Sequence, residues 1–168
     1  MRLERDFFSR DTILVAKSLI GAVLVYGTSE AEVIETEAYL GPEDLASHAR
    51  FKSRKRNHLM FGEPGRLYIY FTYGMYHMLN VVAKESGSAG AVLIRALRPI
   101  SGIEGKTDGP GKLTKTLKIT QIHNGLDAVE GPLFFEDRGL YPPLMEGLRI
   151  GIDYAGIFRD KPWRFIKK

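Results

Sequence analysis

The most restrictive feature of this 168-residue sequence is a run of β-patterned segments with no helical repeat between them. RLYIYFTY and MYHMLNVVAK are joined at Gly74, and AVLIRALRPI follows, ending at Pro99. Upstream, AVLVY, a Gly27-Thr28-Ser29 turn and EVIETEAY read as a hairpin; downstream, PLFFED, LRIGIDY and WRFIKK read as short strands. Strands that cluster without a βαβ rhythm predict an α+β domain on a largely antiparallel sheet. Helices are few. Asp11 is placed to cap TILVAKSLI, whose Ile13, Leu14, Leu19 and Ile20 recur at helical spacing before Gly21 stops it. Pro110 is placed to open a short helix in GPGKLTKTLKI. With no internal repeat, low-complexity tract or linker, residues 1–168 are expected to form one domain.

The lack of cysteine rules out disulfides, thiolate nucleophiles and iron–sulfur clusters, and leaves any metal to histidine and carboxylates. The opening MRLERDFF has no apolar signal-peptide core, and no run approaches the roughly 18 apolar residues of a membrane span, so a soluble intracellular protein is expected. The formal net charge of +4 is unevenly spread. Residues 1–47 carry four basic and nine acidic groups. From His48 to Arg66, six basic residues (Arg50, Lys52, Arg54, Lys55, Arg56, Arg66) face only Glu63, and the closing RDKPWRFIKK holds five against Asp160. Two basic clusters suit a polyanionic partner, although a solvated loop and a ragged end would look the same. The first cluster lies in a polar loop running to Gly65, too long to be idle in a compact domain.

Three constellations carry chemistry. In EVIETEAYLGPEDLASH, Glu35, Glu37 and Tyr39 share one face of a strand by period-two alternation. Unless a cation lies between the two carboxylates, one must hold its proton more tightly, which is how a site acquires a base suited to neutral pH. His48 follows eleven residues after Glu37. A solubilising strand face is the plainer alternative, and a metal set of Glu35, Glu37, Asp44 and His48 lacks a recognised ligand spacing.

In LYIYFTYGMYHMLN, Tyr68 and Tyr70 point to one side, Tyr73 to the other at the turn, and Tyr76, Met78 and Asn80 share a face. Aromatics on a sheet are usually core, but a tyrosine at a hairpin tip has no core to enter and suits stacking on bases or wedging between them. Asn80, inside the apolar LNVV, either satisfies buried backbone or reads the edge of a ligand. Arg95, alone in AVLIRAL, needs a carboxylate, and Glu35 or Glu37 is the obvious partner.

Taken together, VIETEAYLGPEDLASH, RNHLMFGEPGRLYIYFTYGMYHMLNVV, AVLIRALRPI and GPGKLTKTLKI strongly resemble the alkyladenine (3-methyladenine) DNA glycosylase family of base-excision repair enzymes. The likeness runs from about Leu3 to Phe165, with a short SGIEGKTDGPG connection where longer relatives insert more. The resemblance implies a single mixed domain with a curved, antiparallel sheet and a protruding β-hairpin. It implies that Glu37 is the general base activating a water, with Arg95 helping to hold water and carboxylate. Tyr39, His48 and Tyr70 would form the pocket for a flipped base, and Asn80 would reject the amino group of normal guanine. Tyr73 would be the wedge that fills the gap in the duplex, flanked by Met75 and Tyr76 along the groove.

The substrate so implied is damaged double-stranded DNA, from which an alkylated or deaminated purine is flipped and hydrolysed away, leaving an abasic site. No cofactor or metal is called for, no motif sets a lysine beside Glu37 for strand cleavage, and Arg54, Lys55 and Arg56 are expected on phosphates. A monomer without membrane attachment is expected, cytoplasmic with the nucleoid in a prokaryote or nuclear in a eukaryote. Two other readings stand beside this one. A non-catalytic module stacking single-stranded bases on tyrosine explains the charge and aromatics equally well, but not acids placed ahead of a basic loop. A carboxylate-pair glycoside hydrolase needs no basic clusters.

Overall fold

Strand β2 (Ser29–Tyr39) is the spine of the molecule. In this computed structural model, which describes residues 1–168, β2 pairs along its length with β5 (Ala91–Ser101). Its other side is shared: β1 (Val23–Tyr26) takes the first half and β8 (Arg164–Lys167) the second. The sheet continues through β4 (Tyr76–Val82) to β3 (Leu67–Thr72) at one edge and from β1 to β6 (Leu133–Glu136) at the other, while β7 (Leu144–Gly147) pairs with β8. Every strand pairing is antiparallel, and the sheet is curled, an α+β fold as expected.

The edges at β6 and β3 are covered, which removes open backbone groups on which strands of other molecules could pair. Residues 1–3 run beside β6, with Leu3 N–H on the Phe135 carbonyl and Asp137 N–H on that of Met1. Beside β3, Leu67 N–H donates to Leu126, Gly125 N–H returns to Leu67, and the Asn124 side chain accepts from Ile69 N–H.

The three helices are α1 (Arg5–Phe8), α2 (Thr12–Ser18) and α3 (Pro110–Leu117). Asp11 caps α2 by accepting from Leu14 N–H, as expected, and Gly21 leaves the helix at φ +92°. Val15 and Ala16 of α2, Leu19 just after it, and Leu113 and Leu117 of α3 bury against Ala31, Val33, Ala38, Val92, Ile94, Leu79 and Val81 of the sheet. The opposite face of the same strands is left for other work.

That division depends on two β-bulges. On β2, Ala31 and Val33 face the core, then Ile34 is inserted without a partner, and it is Thr36 and Ala38 that face the helices next. On β5, Val92 and Ile94 face the core, Arg95 is the extra residue, and Leu97 resumes. Simple alternation from Val33 would have put Glu35 and Glu37 in the apolar core; the bulge at Ile34 turns them to the other face.

Four segments differ from expectation, one being β7, whose LMEG is too short to be read as a strand from sequence. LRIGIDY is not a strand: Leu148 to Ile152 are irregular, and Asp153–Asp160 forms 3₁₀ turns. Its alternation is real, but Gly147 ends β7 and Gly151 sits at φ +74°, so no neighbouring strand can extend along it. β5 runs past Pro99 to Ser101, because an irregularity between Glu30 and Ala31 falls where the proline N–H is missing. The short α1, which buries Phe8, carries too little periodicity to be seen in sequence.

Deleting Ile34 should therefore be far worse than truncating it. Ile34→Ala is expected to retain cooperative urea unfolding, whereas the deletion, which drives Glu35 and Glu37 toward the core, should abolish the cooperative transition; a cooperative deletion variant would show that the bulge does not set the phase.

Candidate active site

On the face of the sheet away from α2, even-numbered residues of β3 and β4, odd-numbered residues of β2 after Ile34 and odd-numbered residues of β5 up to Arg95 point outward together. They enclose a cavity of about 360 Å³ whose lining includes Tyr39, Tyr68, Tyr70, Met78, Asn80, Leu93 and Arg95. The loop carrying Ala46 and His48 closes one side, and Ile150, Gly151, Ile152 and Tyr154 another.

Glu37 lies beneath this cavity with no exposed surface. One carboxylate oxygen accepts from the Tyr39 hydroxyl at 2.7 Å and the other from the Ile150 backbone N–H at 2.7 Å. The Arg95 guanidinium stands 3.6 Å away. Burial raises the Glu37 pKa from its ordinary value, and Arg95, Tyr39, Ile150 and Arg149 only partly offset it. Burial also pushes the Tyr39 hydroxyl well up, reinforced by the Glu37 charge.

The cation needed between the two carboxylates is Arg95, as the sequence suggested: its Nε is 3.3 Å from Glu35 and its Nη1 reaches Glu37. Glu35 is held further by Arg164 at 2.9 Å, and Arg164 Nε donates to the Leu148 carbonyl. Asp44, one of the four candidate metal ligands, is otherwise engaged. Both its oxygens bind the buried Arg149 guanidinium at 2.7 and 2.9 Å and accept from the backbone N–H of Leu40 and Ala46. Arg149 stacks 4.9 Å from the Tyr39 and Trp163 rings and donates to the Ala38 and Phe158 carbonyls.

Arg149 and Ile150 escaped the sequence reading. Their signal was the one that singled out Arg95, a lone arginine among apolar residues, here in LRIGI. Arg149 fixes the segment that delivers the Ile150 N–H to Glu37, and it backs the ring of Tyr39.

His48 sits at the wall with Nδ1 2.7 Å from the Tyr68 hydroxyl and its ring 4.5 Å from that of Tyr70. Burial, with Arg56 and Arg50 nearby, pulls its pKa down to about 4, so the imidazole is neutral at pH 7. Burial pushes Tyr68 up to about 12 and Tyr70 higher still. Asn80 is buried, its amide donating to the carbonyls of Tyr68 and Met78, which holds the side chain rigidly at the cavity.

At the hairpin tip Tyr73 and Gly74 both take positive φ, +53° and +65°, closing the turn with Met75 N–H on the Thr72 carbonyl. For a tyrosine this conformation is strained, a mark of functional positions. The tip is apolar and open, with Tyr73 78% and Met75 63% exposed. Alternation placed Tyr73 on the opposite side from Tyr70; instead the left-handed turn brings it to the cavity mouth beside Gly151. Tyr76 leans on α3, where Gly111 leaves no room for a side chain against its ring. Arg54, Lys55 and Arg56 are exposed on the loop beyond His48, outside the cavity.

The site is thus a buried carboxylate under a tyrosine-walled slot, bordered by cations and an exposed aromatic tip. The model of one family, methylpurine-DNA glycosylase, matches residues 6–168. A protein of Anaeromyxobacter sp. (strain Fw109-5) named "Putative 3-methyladenine DNA glycosylase" is 45% identical over 174 residues, covering 98% of this chain and 88% of its own. Proteins of the same name from Clostridium perfringens (strain 13 / Type A) and Methanocella arvoryzae are 40% and 41% identical, covering 100% and 99% of this chain and 96% and 92% of theirs. The chain belongs to the methylpurine-DNA glycosylase family.

The depressed His48 pKa has a measurable consequence. Between the ordinary value of 6.5 and about 4, the unfolded chain takes up a proton that the folded protein refuses, so stability falls as pH drops through that window. His48→Gln should flatten that part of the profile, measured as urea midpoints at pH 7 and pH 5; an unchanged slope would mean that His48 is not held neutral.

Proposed function

We propose that this protein is a monofunctional 3-methyladenine-type DNA glycosylase, which flips an alkylated or deaminated purine out of duplex DNA and hydrolyses its N-glycosidic bond. The observation that carries this reading is Glu37: a fully buried carboxylate, oriented by Tyr39 and Ile150, beside Arg95 at the base of an aromatic pocket. A stacked base hides its glycosidic bond, so the nucleotide must leave the helix first, at a cost of a few kcal/mol. Stacking on Tyr39, Tyr70 and the His48 ring returns on the order of 1–3 kcal/mol, and Tyr73, with Met75 and Tyr76, occupies the gap left behind.

Selectivity follows from charge. An N-methylated purine is cationic or electron-poor, stacks well on tyrosine faces, and is not repelled by a neutral His48. The rigid amide of Asn80 is positioned to obstruct the extra amino group of guanine. As the base departs with the bond's electron pair, positive charge develops on the sugar, which the Glu37 carboxylate stabilises. Water then adds to the anomeric carbon, losing its proton to Glu37, a step worth about 10²–10⁴ in rate for a positioned base. The product is an abasic site. No lysine lines the cavity, in keeping with hydrolysis and not amine attack on the sugar.

The non-catalytic module does not account for a carboxylate buried under the base-binding slot, where it opposes nucleic-acid affinity. The glycoside-hydrolase reading needs a second free acid, and Glu35 is tied to both Arg95 and Arg164. Damaged duplex DNA is thus the partner, bound where the cell keeps its DNA, by one domain acting as a monomer.

Two variants test the assignment. Glu37→Gln should abolish release of hypoxanthine or methylated adenine from duplex DNA, scored by alkali cleavage at abasic sites, with nearly unchanged binding; wild-type excision would remove Glu37 as the base. Because the raised Glu37 pKa must be exceeded for the base to work, the wild-type single-turnover rate should fall with decreasing pH through a value above that of an ordinary carboxylate. Tyr73→Ala should weaken the lesion complex severalfold while the rate at saturating enzyme changes little; normal affinity would refute the wedge.

A further inference from the structure

Beyond the base pocket lies a second cavity of about 410 Å³, lined by His48, Arg50, Phe51, Arg54, Arg56, Asn57 and Tyr154. It holds three arginines and no carboxylate. Most arginines of this protein are ion-paired, Arg5, Arg66, Arg95, Arg98, Arg138, Arg149 and Arg164 among them, whereas Arg50, Arg54 and Arg56 have no acidic partner. Three guanidiniums held together without counter-charge repel one another, so the arrangement favours an anion from outside.

The cleft is built and not incidental. Asn57, buried, ties the loop shut from within: its amide donates to the carbonyls of His48 and Lys52 at 2.8 Å, and its oxygen accepts from Arg54 N–H at 2.7 Å. Arg50 lies 4.1 Å over the Phe51 ring and 5.1 Å from that of Tyr154, and Arg54 also faces Phe51. Arg56 reaches across to the Phe71 carbonyl of β3, anchoring the loop to the hairpin. His48 and Tyr154 border both cavities, so the cleft and the base pocket share one wall.

We infer that this arginine cleft seats a single backbone phosphodiester of the lesion-bearing DNA next to the base pocket, with Arg50 and Arg54 as its principal ligands. The inference rests on the glycosylase reading for the identity of the polyanion, while the cleft itself follows from the arginines. A phosphate fixed there sets the register of the strand against the pocket, as phosphate contacts do, and leaves base selection to the tyrosines. Tyr154, with Arg50 on its ring, is the hinge between the two functions.

The test combines a neutral-phosphate scan with a double variant. Duplexes carrying hypoxanthine receive one methylphosphonate at a time around the lesion, and affinity is measured for the full chain in the Glu37→Gln background with and without Arg50→Ala/Arg54→Ala. One position should cost the parent roughly tenfold in affinity, the worth of a charge-assisted hydrogen bond, and cost the arginine variant nothing further. The slope of log affinity against log salt should drop by about 0.9 for each phosphate that the variant no longer neutralises. Equal sensitivity of parent and variant at every position would overturn the proposal, as would competition by inorganic phosphate with no position dependence, which would mark a free-anion site. If the arginine variant fails to fold cooperatively, Arg50→Gln alone gives the same comparison. Excision by the otherwise wild-type chain on the unmodified duplex is scored in parallel, so failed excision with intact coupling indicts the glycosylase reading and the converse indicts the cleft.

Discussion

The architecture depends on a phase shift. Along β2 and β5 the core-facing and cavity-facing residues swap parity at two unpaired positions, Ile34 and Arg95, which lie almost opposite each other in the ladder. Because two bulges on adjacent strands compensate, the register is restored on both sides and the sheet remains continuous. Between them the chain changes from an apolar surface that packs helices to one that carries Glu35, Glu37 and Arg95. A single insertion would shear the two strands; the pair re-aims three ionisable side chains at the cost of only local hydrogen bonding.

Once turned out of the core, Glu37 is still shielded from bulk solvent, and the neighbouring charges are arranged so that this is tolerable. Its own oxygens are bonded to a hydroxyl and a backbone N–H, and Arg95 lies close without a tight ion pair. A bidentate arginine would have drawn its pKa down and weakened it as a base. Stronger pairing is reserved for the supporting groups, Arg149 with Asp44 and Arg164 with Glu35, at the back and rim of the pocket. The first pair is fully buried and the second partly exposed, and such pairs contribute little net stability against apolar replacements while they fix geometry. Here they fix the segment from Leu148 to Ile152, which has no sheet partner of its own.

The wall side has the opposite logic. Arginines without carboxylates crowd the loop beyond His48, and burial, reinforced by Arg56 and Arg50, keeps the histidine neutral. Cations therefore surround the pocket without entering it, except for Arg95, which is matched by two glutamates. Such a field favours a polyanion around the slot while leaving the slot itself largely free of unpaired charge.

Much of this was legible in the chain. The period-two run of Glu35, Glu37 and Tyr39, the tyrosine hairpin around Gly74, the lone Arg95 and the basic loop all lie in the structure where local pattern put them, because alternation and turn chemistry act over a few residues. What sequence could not express depends on long-range pairing. Nothing local marks Ile34 as a bulge, since an unpaired residue is defined only by the strand beside it. The alternation of Leu148, Ile150 and Ile152 looks like a strand until the neighbouring backbone is seen to end, and Tyr73 leaves its expected side only because the turn is left-handed. Asp44 and Arg149 are 105 residues apart, so their ion pair, which decides that Asp44 supports the pocket and does not ligate a metal, exists only once the fold has closed. Local pattern was enough to read most of the strands, the chemistry they carry and a basic character suited to a polyanion; the face that this chemistry occupies came only from the fold, because a side chain's direction is set by hydrogen-bond register between strands and not by the order of residues within one.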